Sequence, residues 1–302
     1  MFNLVKKRIY FYIFSSTLIV LSILAISIWK LNFGIDFRGG SVIEISASGL
    51  ANSIDKIQEG ATASGIEVDS IRNSGNDKLI IRSRNLSTDE HNNLISNLKT
   101  TVNSAIIEEN YQTVGPVVSR DLTNKAIWSV VLASIAIILY ITFAFRKVPK
   151  PASSWRFGVT AVVALLHDLI ITTGFVCIVG HFYHWMQVDS LFITALLTIM
   201  GFSVHDTIVV FDRLRENMIK HPDSDIETLA NDSILQTISR SINTSLTTIM
   251  VLVALFILGG ESISGFVLTL IAGITFGTYS SIFIATMLLV SWQKTIKTVN
   301  SK

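Results

Sequence analysis

The chain has 302 residues, of which only 15% are charged, and its mean hydropathy is +0.54. An ordinary soluble domain carries roughly 25% charge, so a soluble enzyme with a charged shell is excluded. A net charge of +2, with no Lys/Arg cluster or aromatic platform, argues against a nucleic-acid partner, and one cysteine, Cys177, rules out an internal disulfide or a thiolate zinc site.

Basic residues Lys6, Lys7 and Arg8 precede an uncharged run of 21 residues, 9–29. At 1.5 Å per residue the run spans a hydrocarbon core of about 30 Å. It exceeds the roughly 7–15 apolar residues of a signal peptide and no A-x-A site follows, so an uncleaved anchor is expected. Phe33-Gly34-Ile35-Asp36-Phe37-Arg38-Gly39-Gly40 comes next, and its paired glycines predict a tight turn or a close backbone approach. A phosphate-cradling role is the alternative, but no helix opening on a Lys-Ser/Thr pair follows.

Residues 31–122 alone have soluble character and are expected to form an extracytoplasmic domain. Strands are predicted at 41–47, 68–72, 78–83 and 105–109, with the turn Asn73–Asn76 between the second and third. Helices fit Ile54–Ala63 and a stretch opened by Ser87-Thr88-Asp89-Glu90, a capping-box pattern, with Leu94, Leu98 and Val102 on one face. The order β-α-β-β-α-β is that of a ferredoxin-like unit. No catalytic constellation appears in it.

From 123 onward the chain is expected to be membrane-embedded. Uncharged runs cover 126–145, 241–260 and 262–293, and spans at about 157–180 and 190–211 carry His167-Asp168 and His205-Asp206. With the first run this makes six transmembrane helices. Of the 24 basic residues, 14 flank the spans on one side, none lies in the short loops 181–189 and 260–265, and ten fall in 30–125. The positive-inside rule then places both termini in the cytoplasm and the long segment across the membrane.

A carboxylate in mid-helix costs roughly 2.5–3.5 kcal/mol on insertion scales and marks a functional candidate. Asp206 is the foremost: a carboxylate alternating between an apolar and a cation-bearing environment takes up a proton in one and releases it in the other. A packing hydrogen bond to Ser203 is the alternative. Asp168 is a second proton-handling candidate or interhelical glue, with His167 either its orienter or a boundary side chain. The His-Asp pair of phosphohydrolases is rejected for want of further ligands. Arg240, Asn243, Thr244, Thr247 and Thr248 share a helix face, and a polar stripe entering a span is expected to face protein or a water-filled crevice. A snorkelling arginine is the competing reading. Asp212 reaches Arg215 and Glu216 at helical spacing and predicts local ion pairs, and Gly273, Gly277 and Ser281 form a small-residue packing face. His181 and His184 are read as interfacial rather than metal-binding, since no carboxylate beyond Asp189 sits at ligand spacing.

Taken together, Gly34-Ile35-Asp36-Phe37-Arg38-Gly39-Gly40, Val114-Gly115-Pro116, Ala164–Asp168, Gly201–Arg213 with Arg215-Glu216-Asn217, Ser239–Thr248, and the region from Gly259-Gly260 to Gly277-Thr278 resemble the SecF branch of the SecD/SecF protein-export family, in order along nearly the whole chain. The resemblance implies an RND-type half-transporter in the bacterial inner membrane, paired with SecD. It implies a SecYEG translocon accessory, with YajC a further candidate partner, that uses the proton-motive force and no cofactor to pull unfolded chains outward. By position it makes Asp206, Arg240 and Asp168 the proton-relay candidates. His167, His205, Asn243 and Thr247 are candidate modulators, and Asp36, Gly39 and Gly40 a structural motif, with no catalytic or metal residue. His205 stands where the family usually has Asn, which adds a second titratable group. The competing classes are an RND exporter of lipids or small molecules, and a non-transporting translocon scaffold.

Overall fold

The computed structural model describes residues 3–50, 53–73, 77–103, 105–149, 153–183 and 185–300. Ser74, Gly75 and Asn76 of the expected turn, and His184, lie outside these. The chain divides into two compact units, Phe33–Ala126 and the combination of Met1–Asn32 with Ile127–Lys302. Six helices among the described residues are long and apolar enough to cross a membrane, making the chain a multi-pass membrane protein.

The first helix, α1 (Arg8–Trp29), runs through the expected anchor. In the unit that follows, α2 (Ile35–Arg38) is a single helical turn where the sequence suggested only a tight bend. Behind it Gly39 and Gly40 take φ of +75° and +117°, and a Cβ on Gly40 would lie 2.7 Å from the Ser83 carbonyl oxygen. That pair turns the chain directly into β1 (Gly40–Ser46). Gly40→Ala should therefore destabilise this unit by about 1–3 kcal/mol from backbone conformation alone, before the clash is counted. The check is faster amide exchange across the sheet of the intact protein.

Next come α3 (Ile54–Ala63), β2 (Val68–Asn73), β3 (Lys78–Ser83), α4 (Thr88–Thr101) and β4 (Ile107–Val114). The strands pair antiparallel in the order β2-β3-β1-β4. Alternation sends Ile43, Ile45, Leu79 and Ile81 to one face, where they pack with Ile57, Ala61, Leu94 and Leu98 of the two helices. The last strand lies later than the expected 105–109. It pairs with β1 from Ser46↔Ile107 to Gly40↔Val114, and its exposed edge position accommodates Glu109, Asn110 and Gln112, which hid the strand from the hydrophobic pattern.

The capping box at α4 is formed: the Glu90 amide donates to Ser87 Oγ at 3.3 Å and the Ser87 amide to Glu90 Oε2 at 2.8 Å. The hydrogen-bonded Arg84 guanidinium, aided by Ser87, holds the Glu90 carboxyl down at about 2. A depressed carboxylate stabilises the fold above its ordinary pKa, and that contribution is lost as pH falls through about 2. Ser87→Ala should cost about 1 kcal/mol, read as earlier fraying of α4 in hydrogen exchange.

The remaining helices are α5 (Pro116–Ala144), α6 (Ser154–Phe182), α7 (Ser190–Lys220), α8 (Ile226–Leu258) and α9 (Glu261–Ser280). A π-helical turn, Ser281–Ala285, joins α9 to α10 (Thr286–Asn300). Asp189 caps α7 by accepting from the Phe192 amide at 2.8 Å. The helices α6, α7 and α9 form the interior, whereas α5 turns Ile127, Trp128, Leu132, Leu139 and Phe143 outward, as a lipid-facing helix does. Small residues set the close contacts: a Cβ at Gly174 would overlap Ser22, and one at Gly273 would overlap the Ile199 side chain.

Candidate functional site

Two buried carboxylates lie in the helical unit, and their surroundings differ sharply. Asp168 on α6 is 1% exposed and fully partnered. Its Oδ2 accepts from Ser203 Oγ on α7 and Ser280 Oγ on α9, both at 2.7 Å, and its Oδ1 lies 2.9 Å from His167 Nδ1. Ser281 Oγ donates to the Ser203 carbonyl at 2.8 Å, tying the π turn to the same point. The approach depends on a missing side chain, since a Cβ at Gly277 would sit 3.2 Å from Ser203 Cβ and 3.6 Å from Asp168 Oδ2. His167 Nε2 is buried and has no hydrogen-bond partner among the described residues. His167 thus contacts Asp168 through one ring nitrogen while the other faces no described acceptor.

Asp206 on α7 is 2% exposed, yet loosely held. Ser245 Oγ on α8 reaches its Oδ2 at 3.4 Å, and Thr278 Oγ1 donates to Ser245 Oγ at 2.5 Å. His205 Nδ1 stands 3.9 Å from Asp206 Oδ1, with 64% of its side chain exposed. Ser241 Oγ is buried near the same carboxylate and makes no short hydrogen bond among the described residues. The packing bond expected between Asp206 and Ser203 is not made, because Ser203 turns its hydroxyl to Asp168. One carboxylate is thus locked by short bonds from three helices, and the other is held by one long bond from Ser245, with His205 and Ser241 close by. A group that must exchange partners needs the second arrangement.

The helix α8 is rotated relative to the expected stripe. Its buried residues include Thr237, Ser241 and Ser245, whereas Arg240, Asn243 and Thr247 are exposed. The stripe therefore faces out of this chain's own bundle. Arg240 forms no ion pair with Asp206; it lines a cavity of about 500 Å³ together with Asp212, Arg213, Arg215, Glu216, Gln236 and Thr237. In that cavity Arg215 pairs with Asp212 at 3.0 Å and Arg213 with Glu216 at 2.5 Å, the local ion pairs expected of this helical extension. Asp36, Gly39 and Gly40 belong to the other compact unit. His181 stacks on Trp29 with centroids 4.8 Å apart. Among the described residues no group of three His, Cys, Asp or Glu could hold a metal ion.

Sequence reasoning missed Ser245, Thr278 and Ser280, the hydroxyls that touch or relay to the carboxylates. The signal was available. Thr237, Ser241 and Ser245 recur every four residues along α8, the spacing of one helix face made of small hydroxyls.

A family model described as the C-terminal part of the protein export membrane proteins SecD and SecF matches residues 94–295, and the SecD/SecF GG motif matches 30–49. The chain belongs to the SecD/SecF family. Translocase subunit SecF of Anaerolinea thermophila is 37% identical over 295 residues, covering 97% of this chain and 94% of that protein. The SecF of Thermobaculum terrenum is 39% identical over 305 residues, again covering 97% of this chain and 94% of the relative. Translocase subunit SecDF of Bacillus subtilis matches at 34% identity over 95% of this chain but only 38% of its own length. The crystal structure of SecDF, a translocon-associated membrane protein from Thermus thermophilus, superposes with a TM-score of 0.81 at 30% identity, over 97% of this chain and 39% of that one. In this SecD/SecF chain the GG motif is the α2 turn with Gly39 and Gly40, where the backbone enters β1. The six membrane helices and the mixed α/β unit are thus those of a SecF-type member.

Proposed function

We propose that this chain is the SecF-type half of a proton-driven accessory of the Sec translocase, in which Asp206 carries the proton. The observation behind the reading is a loosely held buried carboxylate beside a polar face that the chain leaves uncovered. His205, Arg240, Asn243 and Thr247 are exposed on helices of membrane length, and lipid is a poor neighbour for them. A second protein covers that face. The fused SecDF relatives carry a further part, more than half of their length, continuous with the part this chain matches. SecD is accordingly the partner assigned to the α7–α8 exterior, and it would bring a carboxylate to Arg240 and complete an RND-type bundle of two halves.

In this reading residues 31–122 are a ferredoxin-like extracytoplasmic domain, supported by the antiparallel order β2-β3-β1-β4 under two helices. Residues 1–30 and 123–302 form the inner-membrane part, with both termini cytoplasmic. SecYEG is the machine assisted, YajC an additional contact, and an unfolded secretory chain the cargo. A proton moving down 100 mV supplies about 2.3 kcal/mol, enough to bias a domain movement. Arg240 supplies the cation that Asp206 meets at one stage of the cycle, and Asp168 holds the helices in register around it.

The test is proton flux into liposomes holding this chain together with SecD, followed with an enclosed pH-sensitive dye. Flux that depends on both subunits supports the reading, and its absence under every gradient tested ends it. Asn243→Cys and Thr247→Cys should crosslink to SecD, whereas a cysteine at Leu132 on the lipid-facing side should not.

A further inference from the structure

Asp206 on α7, Ser245 on α8 and Thr278 on α9 form a chain of hydroxyls ending on a carboxyl. Ser245 Oγ stands 3.4 Å from Asp206 Oδ2, and Thr278 Oγ1 stands 2.5 Å from Ser245 Oγ. Thr278 Oγ1 also lies 2.8 Å from the Ile274 carbonyl oxygen, one turn back on its own helix. A hydroxyl has one hydrogen to give, so Thr278 directs it either to Ser245 or to Ile274. Ser245 has no such carbonyl: among the described residues its hydroxyl meets only Asp206 and Thr278. Asp206 and Ser245 are buried, so a hydrogen set the wrong way between them leaves a polar atom unsatisfied. Among the described residues, the titratable neighbour of Asp206 is His205, with Nδ1 3.9 Å from the other oxygen, Oδ1; Ser241 and Ser245 face it from α8.

Each setting of the Thr278 hydrogen fits one charge state of the carboxyl. An ionised Asp206 only accepts, so Ser245 donates to it and Thr278 donates to Ser245. A carboxyl protonated on Oδ2 donates to Ser245 Oγ instead. Ser245 then donates to Thr278 Oγ1, and the Thr278 hydrogen turns to the Ile274 carbonyl. Every O–H bond stays intact; only the hydroxyls rotate, and no helix has to move. Ser241 Oγ is buried near the same carboxyl but has no second hydroxyl behind it among the described residues, so it offers no such reversal. We propose that Ser245 and Thr278 form a reversible hydrogen-bond relay that satisfies Asp206 in both protonation states, with Ser245 in contact and Thr278 a positioning residue behind it. The inference rests on the reading of Asp206 as proton carrier and deepens it: a buried group changes charge without losing its partner.

The test is infrared titration of the full chain with SecD in phospholipid nanodiscs. The protonated-carboxyl band of Asp206 is assigned by its absence in Asp206→Asn, and its intensity is followed against pH. Thr278→Val keeps the shape of the side chain but leaves the Ser245 hydrogen nowhere to go except Asp206. The carboxyl proton is then forced to Oδ1, where His205 is too distant to accept it, so the protonated form is disfavoured. The midpoint should fall by roughly half a pH unit to one, the scale of one hydrogen bond. Ser245→Ala removes the donor that the ionised form relies on, and the midpoint should rise by a similar step. Thr278→Ser, which keeps the hydroxyl, should titrate like the parent. Two side chains that merely packed the helices would change stability and leave the midpoint in place. Shifts in opposite directions support the relay; any other pattern, or the lack of a titrating band, overturns it. Liposome flux is read separately: flux without the opposed shifts leaves Asp206 the carrier and ends the relay, and opposed shifts without flux do the reverse.

Discussion

Asp206→Asn removes the gradient-dependent part of secretory-protein translocation into inverted membrane vesicles and leaves the gradient-independent part intact. The amide matches the carboxyl in size and still accepts from Ser245 Oγ, which now reaches Oδ2 at 3.4 Å, so helix packing is kept. What disappears is the ability to gain and lose a proton. With one long hydrogen bond in place, little local structure is lost, and the variant should assemble with SecD at the parent level. Asp206→Glu keeps the titrating group but moves it by one methylene, and should retain part of the stimulation. The measurement compares the three proteins at equal abundance, with SecD present, with and without a proton gradient. Parent-like stimulation in both variants would make Asp206 structural and shift the coupling to Asp168 or to SecD.

Asp168→Ala should behave differently, as a folding lesion. Its removal takes the short acceptor from the Ser203 and Ser280 hydroxyls, which now donate at 2.7 Å, and from His167, in a site where only 1% of the aspartate is exposed. Losing one partner of a buried polar cluster costs about 3–5 kcal/mol. The full chain should unfold at markedly lower temperature in detergent and accumulate poorly in membranes. Asp168→Asn, with its amide oxygen at the Oδ2 position, keeps the acceptor for both serines and should recover most of the stability. If the Asn variant is stable and translocates with full gradient dependence, Asp168 is the fastening between α6, α7 and α9. If it is stable and loses only that dependence, Asp168 shares the proton path.

Much of this architecture was legible because the membrane makes its demands in composition. Uncharged runs of 20 residues or more located most spans, and the polar pairs in the others marked where both carboxylates would be buried. In the outer unit Ile54–Ala63 and Lys78–Ser83 agree with the structure residue for residue, since alternation and helical spacing are local properties. The strand Ile107–Val114 was misplaced because an edge strand with polar residues has little hydrophobic signature. The facing of α8 was illegible for a further reason. Arg240, Asn243, Thr244, Thr247 and Thr248 make the more conspicuous polar stripe, so a period count favours them over Ser241 and Ser245 for the inside of a bundle. Which stripe turns inward is set by how α8 packs on α7 and α9, and that is not a local property of the sequence. The choice of Ser203 for Asp168 rather than Asp206 was likewise a tertiary event, decided by the close approach that Gly277 permits.

The π turn at Ser281–Ala285 bears on how the last span can be altered. One residue more in the turn than an α-helix holds shifts everything after it by about 100° of azimuth. It acts as a phase adjuster: α9 is free to aim Gly277 and Ser280 at Asp168, while beyond the turn Met287, Leu289 and Val290 still point inward. Deleting one residue there would mend the backbone hydrogen-bond ladder and leave those three side chains facing inward, whereas straightening the turn with its residues kept would turn them outward. The polar half and the apolar half of this span are thus indexed separately, and a substitution pattern tolerated on one side carries no instruction for the other.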